Sequence, residues 1–347
     1  MTTTIAPNTT RELRYREAIN EAIIQEMERD PDVIIMGEEI AGGAGREHLG
    51  IVDAWGGAFK TTVGLIQKFG SQRVKDTPLS EAAFVGTAIG AASTGLRPIA
   101  ELMFVDFVGV CMDQILNNAA KMRYMYGGQV KVPFTLLTRI GAGTGSAAQH
   151  SESFYSIFSH IPGIKGVVPC DPYTAKGLLI SAIRDDDPVV FFEHKLLYPE
   201  TGPVPEEPYA IPLGKARIVK PGADITLVGI SKMTLVCLEA AEKLQEEGLN
   251  AEVVDLMSIS PIDYDLVLDS VRRTHRLVVV DEDTPRCSVA SDICAAVADE
   301  GFDYLDAPPK KVTAPHTPVP YSRPLEGVYI PNCDRVMGVV RELLTGG

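Results

Sequence analysis

The chain has 347 residues, of which 45% are hydrophobic and 22% are charged, and these proportions are typical of a folded globular protein. They exclude a disordered or fibrous chain, and a length of this order favours two domains. Acidic side chains outnumber basic ones by 46 to 32. The resulting net charge of −14 disfavours binding to nucleic acid or to an anionic membrane surface, because like charges repel.

The cysteines and the N-terminus indicate the compartment. The six cysteines include no C-x-x-C pair, which argues against zinc knuckles and thioredoxin-like motifs. The N-terminus lacks a signal-peptide pattern, and the most apolar stretch, 82–96, is too short to span a bilayer. We therefore expect a cytoplasmic protein with free thiols.

Apolar runs alternate with helical patterns along the first half of the chain. The pair Thr9 and Glu12 has capping-box spacing ahead of a helix whose apolar residues run from Leu13 to Met27. Strands are predicted at 33–36, 99–104, 132–138, 167–169 and 189–192. Helices are predicted between them at 82–94, 107–124 and 173–184. This alternation predicts a mostly parallel sheet with right-handed crossovers.

Five prolines between 199 and 212 mark a linker, because proline breaks helices and central strands. The alternation then resumes with strands at 225–229, 251–255 and 277–281 and helices at 235–246, 264–272 and 289–298. A Pro-rich segment, 306–331, precedes a last helix at 333–344. We therefore expect an α/β protein made of two parallel-sheet domains. Its predicted parts are a flexible tail (1–12), a first domain (13–198), the linker (199–212) and a second domain (213–347).

One glycine-rich segment, 141–146, resembles a phosphate-binding loop. However, Ser146 stands where the dinucleotide fingerprint needs its third glycine, and no Walker lysine follows. A flexible loop over a cleft is favoured, although a nucleotide-binding oxidoreductase stays open as an alternative. The histidines show no metal-binding spacing, and His160 and His194 are expected to be structural.

Polar residues cluster after the predicted strands of the first domain. Glu38 follows the first strand, Asp106 and Phe107 follow the second, and His150 closes the glycine loop after the third. Ligands of open α/β sheets bind outside the carboxyl ends of the strands. We therefore expect these side chains and Glu81 to line one cleft at the carboxyl ends of the strands, which we call the mouth.

Glu81 stands in the first turn of a helix whose next residues are small, so its carboxylate is expected to be half-buried beside backbone. The helix dipole favours its charge while burial opposes it, and this competition suits a group that transfers protons. An acidic residue that only caps the helix is the alternative.

Several motifs in fixed order carry a resemblance to a known family. They are GEE at 37–39, DTPLSE at 76–81, GLRP at 95–98, ELMFVDF at 101–107, AAQHS at 147–151 and SISPID at 258–263. From about residue 13 to residue 344 the chain resembles the β subunit of thiamine-dependent 2-oxo acid dehydrogenases, a family that includes acetoin dehydrogenase β chains. The resemblance implies a pyrimidine-binding, transketolase-like domain followed by a transketolase C-terminal-like domain.

The same resemblance implies roles for individual residues. Glu81 would hydrogen-bond the aminopyrimidine ring of thiamine diphosphate, and Phe107 would pack on that ring with Met103 and Leu79 nearby. His150 would handle protons on the intermediate or help to dock the lipoyl group, on a loop that acts as a mobile gate. For Phe107 the competing interpretation is simple core packing.

Two further sites follow from the resemblance. Glu38 matches an acidic residue in the passage between paired active sites. The turn before Pro188 resembles a loop whose backbone oxygens bind potassium, with a solvated acidic turn as the alternative. The implied potassium ligands are Phe134, Ala182, Ile183, Asp185 and Asp187.

The sequence contains no Gly-Asp-Gly motif, with which enzymes of this kind bind Mg²⁺ and the diphosphate. The resemblance therefore implies an α subunit that holds those groups, in a heterotetramer of two α and two β chains. This heterotetramer would serve a lipoyl acyltransferase core and, indirectly, a dihydrolipoyl dehydrogenase.

Three segments look most like acetoin dehydrogenase β chains: DAWGG at 53–57, DFVGVCMDQ at 106–114 and RYMYGG at 123–128. The implied reaction cleaves acetoin to acetaldehyde and transfers the acetyl unit to lipoamide. Oxidative decarboxylation by a pyruvate dehydrogenase is the main alternative. A non-catalytic scaffold is a remote one.

Overall fold

The structure is a computed structural model that describes residues 11–42 and 56–345, and this part of the chain forms three β-sheets flanked by helices. The strands in chain order are β1 (Glu12–Arg14), β2 (Val33–Gly37), β3 (Val74–Asp76), β4 (Arg97–Leu102), β5 (Thr135–Ile140), β6 (Lys165–Val167), β7 (Val189–His194), β8 (Thr201–Pro203), β9 (Arg217–Lys220), β10 (Ile225–Gly229), β11 (Ala251–Asp255), β12 (Ser258–Ser260), β13 (Leu277–Asp281) and β14 (Lys310–Thr313).

Helices connect most of these strands. They are α1 (Tyr15–Arg29), α2 (Leu65–Phe69), α3 (Glu81–Ser93), α4 (Val108–Asp113), α5 (Ala120–Met125), α6 (Ser156–Ser159), α7 (Pro172–Arg184), α8 (Lys232–Glu246), α9 (Tyr264–Thr274), α10 (Val289–Glu300), α11 (Arg323–Tyr329) and α12 (Cys333–Thr345). A π-helical stretch, Gln114–Ala119, joins α4 to α5. None of the helices in the described ranges is long and apolar enough to cross a bilayer.

The first sheet has seven strands in the order β12-β6-β7-β5-β4-β2-β3, and all of them except β12 pair in parallel with their neighbours. The second sheet has the order β14-β13-β10-β11-β9, in which only β9 is antiparallel. The predicted α/β class with two mostly parallel sheets is therefore confirmed.

The central strands are buried on both faces, as expected for parallel strands covered by helices. Their side chains alternate between two apolar clusters. Ile35 and Leu137 pack with α1 and α7, whereas Ile34 and Leu136 pack with α3 and α4. The second of these clusters continues into the other sheet through Val254 and its neighbours. Because one core spans both halves, the domain limits 13–198 and 213–347 stay predictions.

The N-terminus differs from the sequence prediction. Thr9 and most of the predicted tail, 1–12, lie outside the described residues, but Glu12 begins β1, which pairs with β8. The first helix begins at Tyr15, and the Glu17 carboxylate accepts a hydrogen bond from the Arg14 N–H at 2.9 Å. The predicted capping role of Glu12 is therefore wrong, because its backbone is extended and paired in a sheet.

The Pro-rich segment 199–212 is held firmly against the first domain. Its residues 201–203 form β8, which sequence analysis missed. The fully buried Lys176 ammonium pairs with Glu21 at 2.5 Å and donates to the backbone oxygens of Pro205 and Glu206 at 2.6 and 3.0 Å. A lysine in this position satisfies carbonyl groups that a strand or helix would otherwise satisfy.

One strand crosses between the two halves. Although Ser258–Ser260 belongs to the second half of the chain, it forms β12 and pairs antiparallel with β6 at the edge of the first sheet. The elements β9, β14 and α11 were also not predicted from the sequence. These elements are short, and two of them are edge strands whose partial exposure weakens the apolar pattern.

Candidate active site

The carboxyl ends of β2, β4, β5 and β7 meet at one edge of the first sheet, because these strands are parallel neighbours. Glu38 directly follows β2, and Met103 and Phe107 follow β4. The glycine loop and His150 follow β5, while Lys195 follows β7. The structure thus gathers at one mouth the residues that the strand order predicted there.

His150 packs among aromatic rings. Its ring centroid lies 4.8 Å from that of Phe104 and 5.4 Å from that of Phe107, and each ring meets it edge-on. Phe59 packs on Phe104 at 5.4 Å. The structure therefore brings Phe107 and His150 together. Phe104 and Phe59 were not among the predicted site residues, although Phe104 closes a predicted strand at the same edge.

Carboxylates line the other side of the mouth. Glu38 is only 4% exposed, and its Oε1 is buried without a hydrogen-bond partner among the described residues. Burial raises the pKa of Glu38, and the nearby charges of Glu81, Glu39 and Glu101 raise it further. Glu38 and Glu81 are therefore close enough to interact, and the site holds a buried acceptor that still needs a donor.

Glu81 is the first residue of α3 and is half-buried, as the small residues after it predicted. Its charge also acts on Cys111, whose pKa is raised to about 12, mainly by burial. Met103 is half-buried, whereas Leu79 lies in the loop before α3 with 85% of its surface exposed. The edge of the mouth at Leu79 and Glu81 is therefore open to solvent.

A buried arginine stands behind the mouth. Arg139 pairs with Glu101 at 2.8 Å and with Glu193 at 3.5 Å, and it lies over the Phe59 ring at 4.2 Å. Burial raises the pKa of Glu193 to about 7, although Arg139 opposes the shift. Arg139 thus ties the acidic side of the mouth to its aromatic side. Sequence analysis missed it, although a charged residue next to a buried strand is a usable signal.

The glycine loop is fastened by carboxylates of the second half of the chain. The Ala142 N–H donates to Glu282 at 2.7 Å, and the N–H groups of Gly143 and Gly145 each donate to Glu326 at 2.9 Å. Glu326 is 1% exposed. Its carboxylate occupies the amide cradle in which a phosphate would bind, and this argues against a nucleotide there.

His194 fixes the start of the same loop. Its Nε2 lies 2.8 Å from a carboxylate oxygen of Glu282. Gly141 has φ +99, and a Cβ at this position would lie 2.3 Å from that Nε2. Only glycine therefore lets the loop leave β5 against the imidazole, and His194 has a structural contact, as sequence analysis expected.

The segment that carries His150 is held from two sides. Asp106 accepts hydrogen bonds from the N–H groups of Ser151 and Glu152 at 3.2 and 3.3 Å. From the position directly after β7, the Lys195 ammonium donates to the backbone oxygen of His150. Lys195 was not among the predicted site residues, although it follows a predicted strand at the same edge.

The predicted potassium loop is rich in paired charges. Arg97 donates to the backbone oxygens of Ile183 and Asp185 at 3.1 and 2.9 Å, so these two oxygens face one point. The Asp185 carboxylate pairs with Lys165, and that of Asp187 pairs with Arg123. The oxygen of Phe134 accepts from the Val189 N–H, and that of Ala182 accepts from the Asp185 N–H. The potassium site stays a prediction.

No group of three His, Cys, Asp or Glu residues in 11–42 and 56–345 is arranged to hold a metal ion.

Comparison with known proteins defines the class of protein to which this chain belongs. Residues 11–201 match the transketolase pyrimidine-binding domain, and residues 214–336 match the transketolase C-terminal domain. A solved structure described as "Split gene transketolase, inactive beta4 tetramer" has the same fold, with a TM-score of 0.75 and 22% identity. It covers 96% of this chain and 99% of that one. The fold is therefore that of a two-domain transketolase-type chain.

Curated relatives narrow the class further. The β subunit of acetoin:2,6-dichlorophenolindophenol oxidoreductase from Bacillus subtilis is 54% identical, over 96% of this chain and 98% of its own length. The corresponding subunit from Cupriavidus necator is 55% identical, over 97% and 99%. Pyruvate dehydrogenase E1 subunit β-1 from Arabidopsis thaliana is 43% identical, over 94% and 88%. The chain belongs to the family of β subunits of thiamine-dependent acetoin and 2-oxo acid dehydrogenases, as the sequence motifs predicted.

We expect Glu326→Ala to loosen the glycine loop. The change leaves the Gly143 and Gly145 N–H groups without their acceptor, at a cost of about 1–3 kcal/mol in stability. Amide hydrogen exchange should accelerate across 141–152 in this variant. Its melting temperature should also be slightly lower than that of the wild type. Glu300→Ala, at an exposed position of α10, is the matched control and should change neither quantity. Unchanged exchange in the loop would show that Glu326 does not fasten it.

Proposed function

We propose that this chain is the β half of a thiamine diphosphate-dependent enzyme that cleaves acetoin to acetaldehyde and passes the acetyl unit to a lipoyl group. The contact between Phe107 and His150 at the sheet edge where Glu38 interacts with Glu81 supports this proposal. The acetoin-specific part is supported by the two relatives at 54 and 55% identity, which exceed the 43% of the pyruvate dehydrogenase relative.

The residues of the mouth suit the pyrimidine end of the cofactor. A flat heteroaromatic ring can stack on Phe107, beside the half-buried Met103, at the open edge near Leu79. The Glu81 carboxyl can share a proton with a ring nitrogen. The buried Oε1 of Glu38 can accept a hydrogen bond from a donor group on the side of the mouth that Glu38 lines. The site thus combines an aromatic wall with a buried Glu38 oxygen that has no donor among the described residues.

When bound, thiamine diphosphate supplies a carbon nucleophile and an electron sink, which no side chain provides. His150 can give or take a proton at the substrate oxygen, and the rings of Phe104 and Phe107 exclude water around it. Overall, acetoin loses acetaldehyde when its central carbon–carbon bond breaks. The remaining two-carbon unit gives up two electrons to the lipoyl disulfide and leaves as a thioester on one of the resulting thiols.

We propose that an α subunit supplies the rest of the site. This chain lacks a Gly-Asp-Gly motif, so the diphosphate and its Mg²⁺ would be held mainly by the partner, in a heterotetramer of two α and two β chains. The structural neighbour described as an inactive β4 tetramer gives a precedent for an inactive assembly of β chains. The lipoyl acyltransferase core and a dihydrolipoyl dehydrogenase would complete the complex in the cytoplasm.

The potassium site is part of the same proposal. A carbonyl oxygen has two lone pairs, so the oxygens of Ile183 and Asp185 can serve Arg97 and an ion together. Thermal unfolding of the assembled complex in potassium chloride and in choline chloride at equal ionic strength tests this site. Potassium should raise the melting temperature, and equal values would remove the site from the proposal.

The function is tested by co-expression of this chain with an α-type partner. We expect the complex, with thiamine diphosphate and Mg²⁺, to reduce 2,6-dichlorophenolindophenol with acetoin at least tenfold faster than with pyruvate. The chain alone should be inactive. A preference for pyruvate would keep the family and replace the substrate, whereas activity of the chain alone would contradict the shared site.

We expect Glu81→Gln to abolish turnover while the complex still assembles. An amide cannot exchange the proton that each turnover needs, so the rate should fall by about 10²–10⁴-fold. Glu239→Gln, on the exposed face of α8, is the matched control and should keep full activity. A loss below tenfold for Glu81→Gln would refute its assigned role.

A further inference from the structure

Lys195 is a buried cation that the proposed reaction does not yet use. It directly follows β7, only 8% of its surface is exposed, and its ammonium lies 5.3 Å from the centre of the Phe104 ring. Lysine is rarely buried to this extent without a compensating contact. Here its Nζ donates to the backbone oxygen of His150. Lys195 therefore contacts His150, the residue that we propose exchanges a proton with the substrate.

Three carboxylates from separate elements face this ammonium. Asp106 comes from the segment after β4, Glu282 follows β13, and Glu326 lies in α11. The same carboxylates accept hydrogen bonds from the loop, at Ser151 and Glu152, at Ala142, and at Gly143 and Gly145 respectively. Lys195 therefore stands among three carboxylates that fasten the segment from Ala142 to Glu152.

We propose that Lys195 is a positioning residue for His150, and that its ammonium holds the His150 backbone so that the imidazole stays between Phe104 and Phe107, facing the substrate. This inference rests on the proposed function of His150. In this role Lys195 acts through the His150 backbone and not on the substrate itself. A displacement of about 1 Å in such a group can lower a rate by about 10²-fold.

With Lys195 in this role, the pH profile of kcat should have an alkaline limb, in which the rate falls as the ammonium loses its proton. Burial lowers the pKa of Lys195 to about 8, against the opposing effect of Asp106, Glu282 and Glu326. The ammonium is present below this pKa and is lost as the pH rises through it. A neutral amine forms a weaker bond to the His150 oxygen and leaves three carboxylates without their shared cation. The rate kcat should therefore fall above about pH 8.

Two substitutions test the proposal in the assembled complex. Lys195→Met should lower kcat for acetoin by about 10–10²-fold, with the KM for acetoin and the affinity for thiamine diphosphate changed less than about threefold. Lys195→Arg keeps the charge at all working pH values, so it should recover most of kcat and move the alkaline limb above pH 9. Lys232→Met, at a half-buried ion pair with Glu200, is the control and should change neither.

A second measurement needs no turnover. Amide hydrogen exchange at 148–153 should accelerate in Lys195→Met and stay at the wild-type rate in Lys195→Arg, in the complex without cofactor. Unchanged exchange in Lys195→Met would overturn the proposal, as would accelerated exchange with kcat within twofold of wild type. Failure of the wild-type complex to turn over acetoin would instead refute the proposed substrate, while the exchange result would still decide whether Lys195 holds His150.

Discussion

The geometry of the mouth depends on carboxylates of the second domain that bind backbone amides of the first. Glu282 and Glu326 together accept three N–H groups from the glycine loop. Carboxylate-to-amide hydrogen bonds are stronger than neutral ones, and burial from water strengthens them further. The loop between β5 and His150 has no helix or strand of its own. Its shape is therefore set by the other half of the chain.

The parts of the structure that could be predicted are those whose pattern is visible in the sequence itself. The central strands and the helices around them follow from continuous apolar runs, and three strands of the second domain have the predicted limits, Ile225–Gly229, Ala251–Asp255 and Leu277–Asp281. Glu38, Phe107 and His150 could be placed at one sheet edge because parallel strands bring their carboxyl ends together. Both predictions rest on short-range patterns that one sequence contains.

The residues that were missed act over long distances in the chain. Glu326 meets a loop about 180 positions earlier, and Lys176 holds a segment that looked like a simple linker. Arg139 meets Glu101 through strand order rather than through sequence spacing. A buried charge is stabilised only by its particular partners, so its role becomes visible when those partners are in place. The roles of all the predicted site residues stay predictions, because the cofactor and the substrate define them; these residues are Glu38, Leu79, Glu81, Met103, Phe107 and His150.

The strand β12 has a consequence for how the protein can be divided. It leaves the second half of the chain to close the edge of the first sheet beside β6, and its Ile259 lies in the core shared by both halves. A fragment cut within 204–213 would expose the edge of β6, with its unpaired N–H and C=O groups, and an apolar surface beside it. Such edges promote aggregation. The two family domains match separate stretches of the chain, but they share one core and one sheet edge, so we expect them to fold together.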